Sequence, residues 1–403
     1  MLELKIMKIL KYLIILTAAL TGIVFSIGEK DSIDSYSGID ISTAKIDAFL
    51  DDRMSTMDIP GLSIAIINDS QVVYHRVKGF ADKENKLAVT KQTIFEIASI
   101  SKPVFAYFVM TFVEQGKLDL DKPLYQYMPY ADIAYDERYK KITARMVLSH
   151  RTGFPNWRED AKDDKLKIMF EPNSQYSYSG EGYQYLALVL KHIEHADWKG
   201  LERLFQKQVA QPLGLVHTVF IQTPYTRKHK AQPYDQDGHL IDWENDYWYK
   251  KGDGIILAAA TVHSDPLDFA KWMIAVMKKK GLKPSSYNEL FKLHSLIEEN
   301  AIYKVYYTLG LVKPEIPLTD IFLHGGNNQG FTSYMALSPS KKWGYIVMTN
   351  SEYGEQLGME LLTFLAAGPI GIKLYLIGLL ILLFLSSLVL YVIKLIVKKI
   401  RSN

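Results

Sequence analysis

Strand-like runs at 62–67 and 71–77 bracket Asn68-Asp69-Ser70, and a second pair at 331–337 and 343–349 brackets Ser338-Pro339-Ser340-Lys341-Lys342. Short β-prone runs around turn-forming residues predict a β-hairpin at each end of the chain's middle region. Residues 43–57 set Ile46, Phe49, Leu50 and Met54 at helical spacing and stop at Ile59-Pro60-Gly61, which predicts a helix and its end. A strand-like stretch at 93–97 runs into an apolar helix at 104–113, and 354–365 reads as a closing helix. The region 104–320 reads as mostly helix and loop. Strands at both ends with helices between predict an α/β (α+β) fold, with one antiparallel sheet closed by N- and C-terminal strands, flanking helices and an inserted, mainly helical region. The aromatic stretch 243–249 reads as core packing, with lining of a substrate cleft as the alternative.

The two ends carry a different pattern. Residues 1–12 hold Lys5, Lys8 and Lys11, and an apolar run follows to Ile27, with small Ser26 and Gly28 placed as at a signal-peptidase site. This predicts a secretory signal over 1–28, or an uncleaved anchor, followed by a polar linker at 29–42. A domain at 43–365 and a second linker at 366–373 lead to 374–393, an uncharged apolar stretch. About 20 residues at ~1.5 Å each match a ~30 Å hydrocarbon layer, so a transmembrane helix is expected there, with membrane lipid as its partner. The basic tail 394–403, with Lys394, Lys398, Lys399 and Arg401, is then expected in the cytoplasm and the domain outside it.

Composition narrows the chemistry. With 403 residues, 48% of them hydrophobic, the chain can bury a large core. Its net charge of +3 comes from the basic ends, so nothing points to nucleic acid. The absence of cysteine excludes disulfides and thiolate catalysis.

Ser-x-x-Lys occurs three times, at Ser42/Lys45, Ser99/Lys102 and Ser338/Lys341. Ser42 precedes an amphipathic run and reads as a helix cap, while Ser338 sits in a turn between strands. Only Ser99 opens a long apolar helix directly after a strand. There the lysine falls on the same face as the serine, and a partly desolvated amine can take the hydroxyl proton. An ordinary helix cap is the alternative. Tyr178-Ser179-Gly180 offers a phenol in a turn before a helix, where nearby cations would ease its ionisation. His324-Gly325-Gly326 precedes the last hairpin; its glycines permit close backbone approach, and the histidine offers a hydrogen bond or a positive charge.

Taken in this order, Ser99-Ile100-Ser101-Lys102, Tyr178-Ser179-Gly180 and His324-Gly325-Gly326 resemble the three motifs of the serine β-lactamase and penicillin-binding-protein superfamily. The branch they resemble is that of class C β-lactamases, D-Ala-D-Ala carboxypeptidases and esterases. Ile59-Pro60-Gly61, residues 148–153, residues 212–215 and Thr349-Asn350 also match. The resemblance spans about residues 43–365 and implies a β-lactamase/transpeptidase-like fold. It implies that Ser99 is the acylated nucleophile, that Lys102 and Tyr178 move protons, and that His324 meets the substrate's carboxylate side or Tyr178. The oxyanion would be held by the Ser99 N–H and a second N–H near Thr332 or Ser333. Neither metal nor organic cofactor is implied. One departure stands out: the family usually has Asn where this chain has Gly180, which implies altered substrate preference, and restoring Asn there would be expected to favour β-lactam acylation.

The function expected from these motifs is a membrane-tethered serine hydrolase acting outside the cytoplasm on ester or D-amino-acid amide bonds. Its substrate would be a small molecule or a cell-wall peptide or ester. The alternative is a catalytically silent sensor or wall-binding protein that kept the cleft.

Overall fold

The computed structural model describes residues 31–160, 165–243, 254–301, 303–316 and 319–366. In chain order the strands are β1 (Ser32–Asp34), β2 (Asp40–Ser42), β3 (Gly61–Asn68), β4 (Gln71–Asp82), β5 (Leu87–Ala88), β6 (Phe95–Glu96), β7 (His263–Ser264), β8 (Ser295–Glu299), β9 (Lys304–Tyr307), β10 (Val312–Glu315), β11 (Phe322–Asn327), β12 (Thr332–Ser338) and β13 (Trp343–Thr349). Among the described residues, nine of them form one sheet in the order β5-β4-β3-β13-β12-β11-β10-β9-β8. All its pairings are antiparallel.

Every residue of β3, β12 and β13 is buried. Their uncharged, mostly apolar character follows, because a strand covered on both faces has no side to give to water. The two hairpins expected from the sequence meet at the sheet's centre, where β3 runs against β13 from Leu62↔Thr349 to Ile67↔Gly344. The strands β8, β9 and β10 were not foreseen in a region read as helix and loop. Glu298, Glu299, Lys304 and Glu315 break up their apolar pattern, as suits strands toward a sheet's edge.

The helices include α1 (Thr43–Thr56), α2 (Ser101–Glu114), α3 (Gly180–Ile193) and α4 (Pro266–Met277), of which α2 and α3 carry site residues. A fifth, α5, runs over 354–366. Residues Ser101 to Phe112 of α2 are all buried, which is the reason the helix is apolar on every face. Phe105 meets Tyr183 of α3 at 6.0 Å between ring centroids, and Phe108 meets Phe205 at 5.6 Å. Pro103 lies in the first turn of α2, where its missing N–H costs nothing. Gly310, at φ +99, lies so close to that turn that a Cβ would stand 2.9 Å from the Pro103 Cα.

Two compact units divide the chain. Leu50–Leu362 is one and contains the whole candidate site; Met1–Phe49 with Thr363–Asn403 is the other. In the latter, β1 pairs with β2 and Phe49 stacks on Phe364 at 4.6 Å. The stretch 29–42 is therefore not the plain linker expected, since it holds a small β-hairpin. The fold-class expectation also needs correction at its C-terminal end. Among the described residues no helix is long and apolar enough to cross a membrane, so the described architecture contains no transmembrane helix. The expected signal or anchor at 1–28, the span 374–393 and the tail 394–403 lie outside the described residues.

Candidate active site

Ser99 does not begin the helix, as its sequence suggested, but sits in a 3-10 turn, Ala98–Ile100, immediately before it. Neither that turn nor α2 has a side-chain cap, so the hydroxyl is not used as an ordinary helix cap. The preceding Ala98 adopts φ +48, a left-handed conformation unfavourable for a residue with a Cβ and frequent where side chains are held for chemistry. The turn is tied on both sides. Ile97 N–H donates to Val262 O at 2.9 Å, and the Ser333 hydroxyl donates to Ile97 O at 2.9 Å.

Lys102 brings its amine to 3.1 Å from the Ser99 Oγ. A second bond, from Nζ to the Ala259 carbonyl at 3.1 Å, fixes the amine's direction. The side chain is 1% exposed, and this burial holds its pKa well below the ordinary lysine value. A neutral amine with one N–H committed to Ala259 can turn its lone pair to the Ser99 O–H.

Tyr178 completes the cluster. Its phenol lies close enough to Ser99 for that side chain to lower its pKa, and Lys102 Nζ stands 4.3 Å from its ring centroid. The expectation that cations ease its ionisation is reversed, because burial raises the phenol's pKa and only the Ser99 side chain works the other way. Burial likewise pulls the pKa of nearby Lys102 well below the ordinary lysine value. The amine is thereby suited to accept a proton and the phenol to give one.

His324 is buried and uncharged. Its Nδ1 lies 2.6 Å from the Gly325 carbonyl and must carry the proton; Nε2 then accepts from the Tyr307 hydroxyl at 2.9 Å. Burial, and secondarily Lys102, brings its pKa down to about 3. With both nitrogens occupied, His324 offers a substrate neither a cation nor a free donor.

Gly326 makes the close approach its type suggested: a Cβ there would stand 2.4 Å from Ile97 O and 3.0 Å from Ser99 N. The second oxyanion donor is not at Thr332 or Ser333. Both are fully buried one strand further in, with Thr332 Oγ1 donating to Ser351 O at 2.6 Å and Ser333 bonded to Ile97. Asn328 N–H pairs with Phe331 O at 3.0 Å, and Gly326 stands opposite Ser333 in register. Alternation along an antiparallel ladder then turns Gly326 and His324 toward β12, and Gly325 and Asn327 toward the other edge. Strand β10 covers that edge only at Leu323 among the described residues, so neither neighbouring strand takes the Asn327 N–H.

Gly180 opens α3 behind the cap Ser179, whose Oγ accepts from Gly182 N–H at 3.0 Å. Ser179 is extended, with φ −144 and ψ 115, so positions 178 and 180 project to one side. On that side Trp157 occupies the space: a Cβ at 180 would lie 2.6 Å from two of its ring carbons. The glycine is thus a packing requirement of Trp157 rather than a vacancy. We expect Gly180→Asn to lower stability by ~1–3 kcal/mol, the usual cost of overpacking, and to bring no gain in β-lactam acylation. Adding Trp157→Ala should recover part of the loss through coupling of ~0.5–3 kcal/mol. Thermal unfolding of the two single variants and the double variant reads this out.

Sequence reasoning missed several neighbours. His150, fully buried at φ +57, lies 4.3 Å from the Tyr178 ring and 4.5 Å from that of Tyr307. Its Nδ1 accepts from Ser179 N–H at 3.0 Å, and burial keeps it neutral. Its place in the matched stretch 148–153 was the available signal. Glu96 accepts from Asn328 Nδ2 at 2.8 Å and bonds His263 at 3.0 Å and Lys230. Burial alone would raise its pKa, but those two partners bring it down to about 2. This anchors the turn after β11. Of the aromatic stretch 243–249, Trp243 packs against Phe331 at 5.3 Å; the remainder lies outside the described residues.

Comparisons with known proteins bear on the family and the fold. The Beta-lactamase family model matches residues 46–368. Protein flp of Staphylococcus aureus (strain NCTC 8325 / PS 47) is 23% identical over 340 residues, 78% of this chain and 65% of that protein, so the chain spans 65% of the length of that relative. A beta-lactamase of Pseudomonas fluorescens is 26% identical over 345 residues, 76% of this chain and 93% of that one. Among solved structures, the octameric penicillin-binding protein homologue from Pyrococcus abyssi aligns at TM-score 0.67 and 22% identity, covering 81% of this chain and 77% of that one. The D-alanine carboxypeptidase AmpC from Burkholderia cenocepacia aligns at 0.62 and 18%, covering 77% and 93%. A serine side chain, a buried amine and a phenol meet in a β-lactamase/transpeptidase-like fold, and the chain belongs to the Beta-lactamase family.

Proposed function

We propose that the chain is a serine hydrolase that forms an acyl-enzyme at Ser99 on ester or D-amino-acid amide bonds, in small molecules or cell-wall peptides and esters. The observation that carries this reading is the 3.1 Å approach of the buried Lys102 amine to the Ser99 hydroxyl. Lys102 takes the Ser99 proton as Oγ bonds the carbonyl carbon, and the N–H groups of Ser99 and Asn327 hold the oxyanion. As the intermediate collapses, Tyr178 gives its proton to the departing oxygen or nitrogen and recovers one from Lys102. Water then attacks the acyl-enzyme by the reverse relay, releasing the acid and restoring Ser99.

A silent binding protein was the competing reading, and it rested on Gly180. Trp157 accounts for that glycine by packing, so no observation favours the second reading. The test is labelling of the purified chain with a fluorescent fluorophosphonate and a fluorescent penicillin. Fluorophosphonate should label the peptide that contains Ser99, and Ser99→Ala should remove the label entirely. A folded wild-type chain that takes up neither probe would refute catalysis.

A further inference from the structure

Resting on the hydrolase reading, we propose that Glu355 recognises a positively charged group on the substrate, so that the preferred substrates are esters carrying a free amine near the scissile bond. Gly325, the middle residue of the third motif, has no side chain, and the Glu355 carboxylate fills the space: a Cβ at 325 would stand 2.1 Å from its Oε1. Gly325 lies on β11 where the strand runs past its partner β10, whose pairing stops at Leu323. The carboxylate is thus seated one residue along β11 from Gly326, the glycine against which Ser99 N packs. Its charge is felt at the phenols of Tyr178 and Tyr334.

The neighbouring acid behaves differently. Glu352 is engaged by Gly330 N–H at 2.5 Å and by Asn327 Nδ2 at 3.0 Å. Glu355 is only partly buried, and among the described residues it has no hydrogen-bond or ion-pair partner. A carboxylate held at a cleft without a cation is a receptor for one brought by the ligand. The other titratable groups of the cluster sharpen the preference, since burial shifts Lys102, His150 and His324 toward their uncharged forms. A substrate carboxylate would meet a like charge at Glu355 and a weakened counter-charge from these three. Amines are therefore selected and carboxylates are repelled.

The test compares three p-nitrobenzyl esters, those of D-alanine, N-acetyl-D-alanine and succinic acid (mono-ester), on the purified full chain. Wild type should prefer the D-alanine ester to its N-acetyl form by about tenfold or more in kcat/KM, as a close charge-assisted contact provides. Glu355→Gln should bring that ratio to near one, and Glu355→Lys should make the succinate ester the best of the three. A wild-type preference for the N-acetyl or succinate ester, or a ratio unchanged in both variants, would overturn the proposal. Calorimetric binding of the same esters to Ser99→Ala protein separates recognition from turnover. If no ester is hydrolysed yet Ser99→Ala protein binds the D-alanine ester at least about tenfold tighter than the N-acetyl ester, and Glu355→Gln removes the difference, recognition stands and the hydrolase reading fails. Equal binding of the two esters sinks the recognition itself.

Discussion

Lys102→Met is expected to cut the rate of Ser99 acylation by at least ~10³-fold while making the protein more heat-stable. The side chain keeps its length and apolar stem but loses the base that sits 3.1 Å from Oγ. The gain in stability follows from linkage. Burial depresses the Lys102 pKa in the folded chain, so the unfolded chain holds a proton that the folded one does not. The resulting penalty is largest at low pH and fades as pH rises toward the ordinary lysine value of ~10.4. Methionine removes it, and the unfolding midpoint should rise by ~2 °C or more at pH 6–7, with the advantage shrinking at pH 10. Thermal unfolding at several pH values, beside the rate of fluorophosphonate labelling, checks both halves. A variant that is equally inactive but less stable at every pH would show that the amine is charged and paired at rest.

Tyr178→Phe is the second large effect, an expected loss of ~10²–10⁴-fold in kcat. The ring stays, so its packing on His150 and its place beside Lys102 are kept. Only the proton that goes to the leaving group is removed. Because burial pushes the phenol's pKa upward, wild-type activity should rise with pH as Lys102 loses its proton and show no fall through the normal tyrosine range near 10. The defect should depend on the leaving group, being severe for alkoxide leaving groups and mild for p-nitrophenolate, which leaves without protonation. Equal losses for both leaving groups would assign Tyr178 to positioning instead.

Much of this arrangement was legible in the sequence where the signal is local. The hairpins β3–β4 and β12–β13 are apolar runs around turn residues, and both appear as expected. Ser99, Lys102, Tyr178, His324 and Gly326 are brought together as the motif order implied. What stayed hidden depends on neighbours distant in sequence. Gly180 is explained by Trp157, and no local pattern joins the two. The neutral state of His324 and the raised pKa of Tyr178 come from burial, which one stretch of sequence does not reveal. Placing the oxyanion donor near Thr332 or Ser333 chose the wrong strand, because only the register of β11 on β12 shows which backbone groups face outward. The edge strands β8–β10 escaped notice since their charged positions mimic loop composition.

The pairing of β3 with β13 also governs how the protein is made. These central neighbours are separated by roughly 280 residues, which take ~15–60 s to synthesise at ~5–20 residues per second. Throughout that interval β3, a largely apolar strand, has left the ribosome without β13, and the chain must rely on transient shielding to avoid clumping. Ribosome-stalled nascent chains that stop short of 343 should therefore stay protease-sensitive, and resistance should appear only once β13 has emerged.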